Sequence, residues 1–117
     1  MQEEVVIKVI SSAGEPYNVN FKFSGNKFSI FCSCPAGIHG KLCKHKISLL
    51  DGDTSLLFDK SDTEMIEQIY ETIKKSKYIE ISSSYNILKR EIDLLQKKEK
   101  KLKEQIEHSL KKGIEIL

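Results

Sequence analysis

Four residues of metal-binding type fall within one short stretch, as Cys32-x-Cys34, eight residues, then Cys43-x-His45. This cluster constrains the fold more than anything else in the sequence, because it holds all three cysteines of the 117-residue chain. An odd number of cysteines leaves no complete disulfide framework, and clustering in a small region points to a metal or to catalysis before it points to bridges. Zinc takes four sulfur or nitrogen ligands in a tetrahedron, with sulfur at about 2.3 Å and nitrogen at about 2.0–2.1 Å. A close pair of ligands supplies two corners from one turn of backbone, and a second pair brought back by a loop supplies the others. The intervening loop carries Gly37 and Gly40, which allow a tight return, and Pro35 turns the chain directly after Cys34. His39 lies in that loop as a rival fourth ligand. Cys43-x-His45 at a helix start presents both its side chains to one point, which favours His45. Redox use of Cys32 and Cys34 fits poorly, since thiol–disulfide pairs of the thioredoxin type have two residues between them and sit in a βαβ setting. With all four corners filled by protein, one structural zinc ion is expected, with no open position for water or substrate.

The flanking sequence places this cluster between a hairpin and a helix. Residues 4–11 are a β-branched run with strand character, and Gly14-Glu15-Pro16 signals a turn. In residues 17–23, Tyr17, Val19, Phe21 and Phe23 alternate with Asn18, Asn20 and Lys22, the period of a half-buried strand. Ser24-Gly25-Asn26 is a tight turn, and residues 27–32 return as a second strand that runs into Cys32. In that strand Phe31 falls on the face opposite Phe28 and Ile30, exposed or covered by another element. The strand aromatics read as core before they read as base-stacking platforms. Pro35 to Leu42 reads as a loop. From Cys43 the spacing of Ile47 and Leu50 is helical, until Asp51-Gly52 stops it. The metal would then pin a small sheet to a helix in a region otherwise short of core, as small domains often require.

FCSCPAGIHGKLCKHKISLL resembles the SWIM-type zinc finger, whose signature is Cys-x-Cys, a variable spacer, then Cys-x-His, with a hairpin before it and an apolar helix after it. All four signature positions match, onto Cys32, Cys34, Cys43 and His45, and the resemblance covers residues 5–52. It implies a zinc-bound ββα unit that binds DNA or proteins. Such fingers occur beside helicase-like ATPases, transposases, recombination factors and ubiquitin ligases. This chain departs from that setting, with no G-x-x-x-x-G-K phosphate loop and no helicase motif, so the activities of larger relatives do not carry over.

The rest of the chain is helical in pattern. Ser61-Asp62-Thr63-Glu64 reads as a capping box, followed by Met65, Ile66, Ile69, Tyr70 and Ile73 at helical spacing to about Lys74–Lys77. Residues 54–58 are ambiguous, residues 78–81 read as a short strand, and Ser82-Ser83-Ser84 as a break or a helix N-cap. From Tyr85 the apolar positions follow steps of three and four. Tyr85, Ile92, Glu99 and Ile106 stand at one seam position and Leu88, Leu95, Leu102 and Ser109 at the other, a heptad register that Gly113 interrupts. Leu88, Ile92, Leu95, Leu102 and Ile106 are therefore expected to form a homodimer seam within residues 85–110, unless this helix folds back on the one before it. The expected architecture is α+β: a small antiparallel sheet with a zinc-pinned short helix over 1–52, a connecting helical segment over 53–84, and a long coiled-coil-like helix over 85–117.

Charge narrows the choice of partner only slightly. The net charge is +2. Residues 1–52 and 84–117 are mildly basic, and residues 53–83 are acidic. Lys41, Lys44 and Lys46 surround the second ligand pair with no acid between Ile38 and Ser48, a candidate phosphate-contacting patch. Lysines there would also offset the −1 charge of a Cys3His zinc site, whatever else they touch. Arg90 is the single arginine, so bidentate reading of guanine is nearly closed to this chain. The five lysines of residues 97–103 read as the wet side of a helix. No apolar run approaches the ~18–20 residues of a membrane span, and the start, MQEEVVIKVI, has acids where a signal peptide has bases. These features lead to an expected cytoplasmic, non-enzymatic binding module: a small DNA-binding accessory factor, or else an adaptor or inhibitor that uses the finger as a scaffold and docks a protein partner through the C-terminal helix. Association with the nucleoid would follow if the partner is DNA.

Overall fold

The computed structural model describes residues 2–117. Its first three elements are strands: β1 (Gln2–Val9), β2 (Tyr17–Ser24) and β3 (Lys27–Cys32). They form one antiparallel sheet in the order β1-β2-β3. Two residues, Gly25 and Asn26, close the β2–β3 hairpin, with Ser24 opposite Lys27. Gly25 has φ 59° and no other residue of this loop has positive φ, the pattern of a type II′ turn, whose twist matches that of the strands it joins.

The strand register decides which side chains are buried. Val5, Ile7 and Val9 of β1 lie opposite Phe21, Val19 and Tyr17, and Val19 and Phe21 lie opposite Cys32 and Ile30. These residues share one face, because side chains alternate across a strand. Ile7, Val9, Val19, Phe21 and Cys32 are fully buried there. Val6, Asn20 and Phe31 form a row across the other face. Phe31 is 47% exposed, which agrees with its expected position away from the core.

Helices cover the inner face of the sheet. A single turn, α1 (Pro35–Ile38), follows β3, where the sequence reading expected only loop. Pro35 makes this turn possible, since its fixed φ suits a first helical position and its missing N–H is not needed there. Helix α2 (Lys44–Leu50) then buries Leu49 and Leu50 and packs against β3. The ambiguous stretch 54–58 adds an edge contact to the sheet. Leu57 bridges Val9, Ile10 N–H donates to the Leu56 carbonyl, and Phe58 N–H donates to the Lys8 carbonyl. Helix α3 (Thr63–Ile73) buries Ile66, Ile69 and Ile73 and packs against α2.

The start of α3 differs from the expected capping box. A 3₁₀ turn, Lys60–Asp62, leads into it, capped by Asp59, whose carboxylate accepts the Ser61 N–H at 2.9 Å. The Thr63 hydroxyl donates backwards to the Lys60 carbonyl at 2.7 Å, and Asp62, at the N-cap, makes no side-chain cap bond. The 3₁₀ turn already holds the entering chain, so the Ser/Thr–Glu reciprocity has no role.

The chain divides into two compact units between Ser76 and Lys77. The second unit, Lys77–Leu117, contains one long helix, α4 (Tyr78–Lys112), of 35 residues. This corrects the expected strand at 78–81 and the expected break at Ser82–Ser84. A four-residue apolar run does not separate period 2 from period 3.6. Serine weakens a helix without stopping it, as glycine or proline would. Ser82 turns its hydroxyl onto the Ile79 carbonyl at 3.2 Å, so the side chain is satisfied within the helix. Because the helix starts earlier than expected, the heptad register extends back from Tyr85 to Ile81 and Tyr78. None of the residues of α4 is buried.

Candidate metal centre

Each end of the metal centre belongs to a different element. Cys32 is the last residue of β3, and the chain beyond it is held in register by Ser33. The Ser33 N–H donates to the Asn18 carbonyl at 3.0 Å, and the Ser33 hydroxyl accepts the Asn18 N–H at 2.9 Å. Cys34 caps α1, where its sulfur accepts the Gly37 N–H at 3.2 Å. Cys43 caps α2, where its sulfur accepts the Lys46 N–H at 3.4 Å. His45 sits in the first turn of α2, two residues on, and so returns to the same point. The Tyr17 ring meets the imidazole edge-on, with centroids 5.4 Å apart. The imidazole also donates a ring N–H to the Ile10 backbone carbonyl, which orients it. A ligating histidine commonly has its other ring nitrogen fixed in this way.

The four donor atoms of Cys32, Cys34, Cys43 and His45 lie within 4.8 Å of one another, and all four residues are buried. Cys32 Sγ and His45 Nδ1 are 3.8 Å apart. Zinc–ligand bonds of ordinary length give a tetrahedron with edges of about 3.6–3.8 Å. His39, the rival ligand, is exposed at the end of α1 and does not join the cluster.

The electrostatics of the cluster match the same ion. Burial pushes the Cys32 thiol up to about 12, with the crowding of Cys43 adding to it. Burial acts on Cys34 in the same direction, but there it is outweighed by the Gly37 N–H, then the neighbouring thiols and the Ala36 N–H, and its thiol lies below the ordinary range. Burial, and then the Lys44 charge, lower His45 below its usual 6.5, which keeps the imidazole neutral as a ligand requires. Three thiols packed in a buried cluster cannot all ionise beside one another without a cation. A divalent ion replaces their protons and leaves a net charge of −1. The donor set therefore fits zinc, which bound here ties β3 to α1 and α2. All four positions come from protein, the mark of a structural site.

The three lysines singled out in the sequence separate in the structure. Lys41 and Lys44 are exposed. Lys46 is 6% exposed, and its ammonium donates to the Lys41 carbonyl at 3.1 Å. It closes the loop between the ligand pairs instead of facing outward. The sequence reading also missed Gly37 as a site residue. A Cβ at this position would stand 2.7 Å from Cys32 Cβ and would strike the Cys32 backbone as well. Only glycine lets α1 come close enough to β3 to bring Cys34 beside Cys32. Its position three residues after Cys34 was the available signal.

No curated protein and no solved structure matches the chain. The family model described as SWIM zinc finger matches residues 17–51, less than a third of the chain but all four ligands and the hairpin that leads to them. The match, the donor set and its geometry converge on one statement: residues 17–51 form a SWIM-type zinc finger with a Cys3His site for one structural zinc ion.

Proposed function

We propose that this protein is a small, non-enzymatic DNA-binding accessory factor of the cytoplasm, associated with the nucleoid. In this reading the finger contacts the phosphate backbone and α4 pairs two copies. The observation that supports it most is the basic surface at the second ligand pair. Lys41 and Lys44 are both exposed, and no acid occurs between Ile38 and Ser48. The zinc holds this loop rigid, so two ammonium groups are presented without the entropy cost of ordering a flexible segment. Lys46 drops out of the expected patch because it is buried. With so few contacts and one arginine, the binding is to backbone rather than to base edges.

The test is fluorescence anisotropy of the zinc-loaded protein with single- and double-stranded DNA over a salt series. Binding of about micromolar strength or tighter at physiological salt, weakening as salt rises, is expected. Lys41→Ala with Lys44→Ala should lower the log–log salt slope by about 2, close to one counterion per lost contact. An unchanged slope would remove these lysines from the interface.

A second reading, an adaptor that docks a protein partner, has its own observation. The outer face of the sheet carries the row Val6, Asn20 and Phe31, with Phe58 also exposed. Asn20 Oδ1 is buried there with no hydrogen-bond partner among the described residues. Absence of DNA binding at physiological salt, together with loss of a captured partner on Phe31→Ser, would favour this reading.

A further inference from the structure

We infer that α4 pairs with α4 of a second copy in the antiparallel sense, with Ile92 packed against the partner's Leu95 at the centre of the seam. This rests on the pairing read above and adds its orientation and register. An apolar stripe runs along the whole helix. Ile81 is 68% exposed, and Leu88, Leu95, Leu102 and Ile106 are all more than half exposed. The far side is polar, where Lys97 pairs with Asp93 at 3.4 Å. An exposed apolar seam of this length suits a second helix of equal length.

Charge decides how the two run. In a parallel pair each seam residue meets itself, so Glu99 would face the partner's Glu99, and Lys98 would face the partner's Lys103. In the antiparallel pair centred on Ile92 and Leu95, each end of the seam meets the other. Ile81 then packs on the partner's Ile106, Tyr85 on the partner's Leu102, and Glu99 on the partner's Leu88. Beside the seam Glu91 faces the partner's Lys98, and symmetry makes this attraction twice. Like charges meet only at the ends of the seam, where Lys77 faces the partner's Lys112. Shifting by one heptad loses this. One shift sets Lys98 against the partner's Lys98 and Lys89 against the partner's Lys103. The other sets Glu91 against the partner's Glu91. The flanking positions of a two-helix seam choose orientation in this way. The antiparallel arrangement sends the N-termini of the two helices to opposite ends of a rod about 52 Å long.

Sedimentation equilibrium of the zinc-loaded full chain at low salt tests this through a charge swap. The wild type should be a dimer. Glu91→Lys and Lys98→Glu should each weaken it about tenfold, as two attractions become two repulsions, and the double variant should recover to within about twofold. A parallel dimer gives the opposite sign for Lys98→Glu, which would then attract the partner's Lys103 and tighten the dimer. That outcome, or no response, overturns the orientation while leaving pairing intact. A wild type that is monomeric, or that forms a larger assembly, overturns pairing itself.

Discussion

At the scale of single residues, the metal centre depends as much on what surrounds the ligands as on the ligands. Each cysteine after the first caps a helix turn, so a backbone N–H points at its sulfur: Gly37 at Cys34, Lys46 at Cys43. These bonds favour the thiolate, which is the form that binds zinc. Gly37 has the further task of allowing α1 to touch β3. Gly37→Ala must push the turn away from Cys32, which lengthens the bond to Cys34 and pulls its sulfur from the cluster. Zinc affinity should fall about 10- to 100-fold, the range seen when groups supporting a ligand are removed. Competition with a chelating indicator measures it, and an affinity within twofold of wild type would show that the approach of α1 to β3 does not matter to the ion. The four ligands were legible from sequence because ligand type and spacing are local. Gly37 was not, because the atoms it would strike belong to another element.

At the scale of elements, local pattern and tertiary context divide the outcome. Strands β2 and β3 follow from strict alternation, and α3 from its apolar spacing, because one face of each is buried in the register the pattern demands. The segment 54–58 carried no period at all. It is placed by three long-range contacts to the end of β1 and just beyond it, which no local pattern encodes. Residues 78–84 show the reverse error. Three consecutive serines suggested a break, yet helix runs through them, since each serine costs only tenths of a kcal/mol and apolar residues on both sides keep helical spacing. Ser83→Ala should therefore stabilise α4 by about 0.5 kcal/mol, read as a rise in helical circular dichroism and melting temperature. An unchanged melt would mean that position 83 lies outside a helix.

At the scale of the whole molecule, each of the two units is stabilised within itself by different physics. The unit ending at Ser76 has a small core, built from Ile7, Val9, Val19, Phe21, Leu49, Leu57, Ile66 and Ile73. The zinc centre lies at one edge of it, where Cys32 joins the sheet to both short helices. Structural zinc contributes about 10–16 kcal/mol in small fingers, comparable with the total stability of a domain of this size. Chelation, or Cys34→Ser, should unfold the finger. Helix α4 should remain, because a helix closes its ladder of backbone bonds locally and none of its residues belongs to that core. Near-complete loss of dispersed amide signals from residues 17–51 in NMR, with α4 signals retained, is the expected result. A finger that keeps its signals without metal would show that the core alone suffices. None of the described helices is long and apolar enough to cross a membrane. The sequence by itself determined the ligand set, the hairpin, the α+β class and the long C-terminal helix, because each is written in residue type and spacing over a few turns. Tertiary structure alone decided that Lys46 turns inward, that Gly37 is a contact point and that 54–58 joins the sheet edge. Each of these depends on atoms distant in sequence coming within a few ångströms, which only the packed chain brings about.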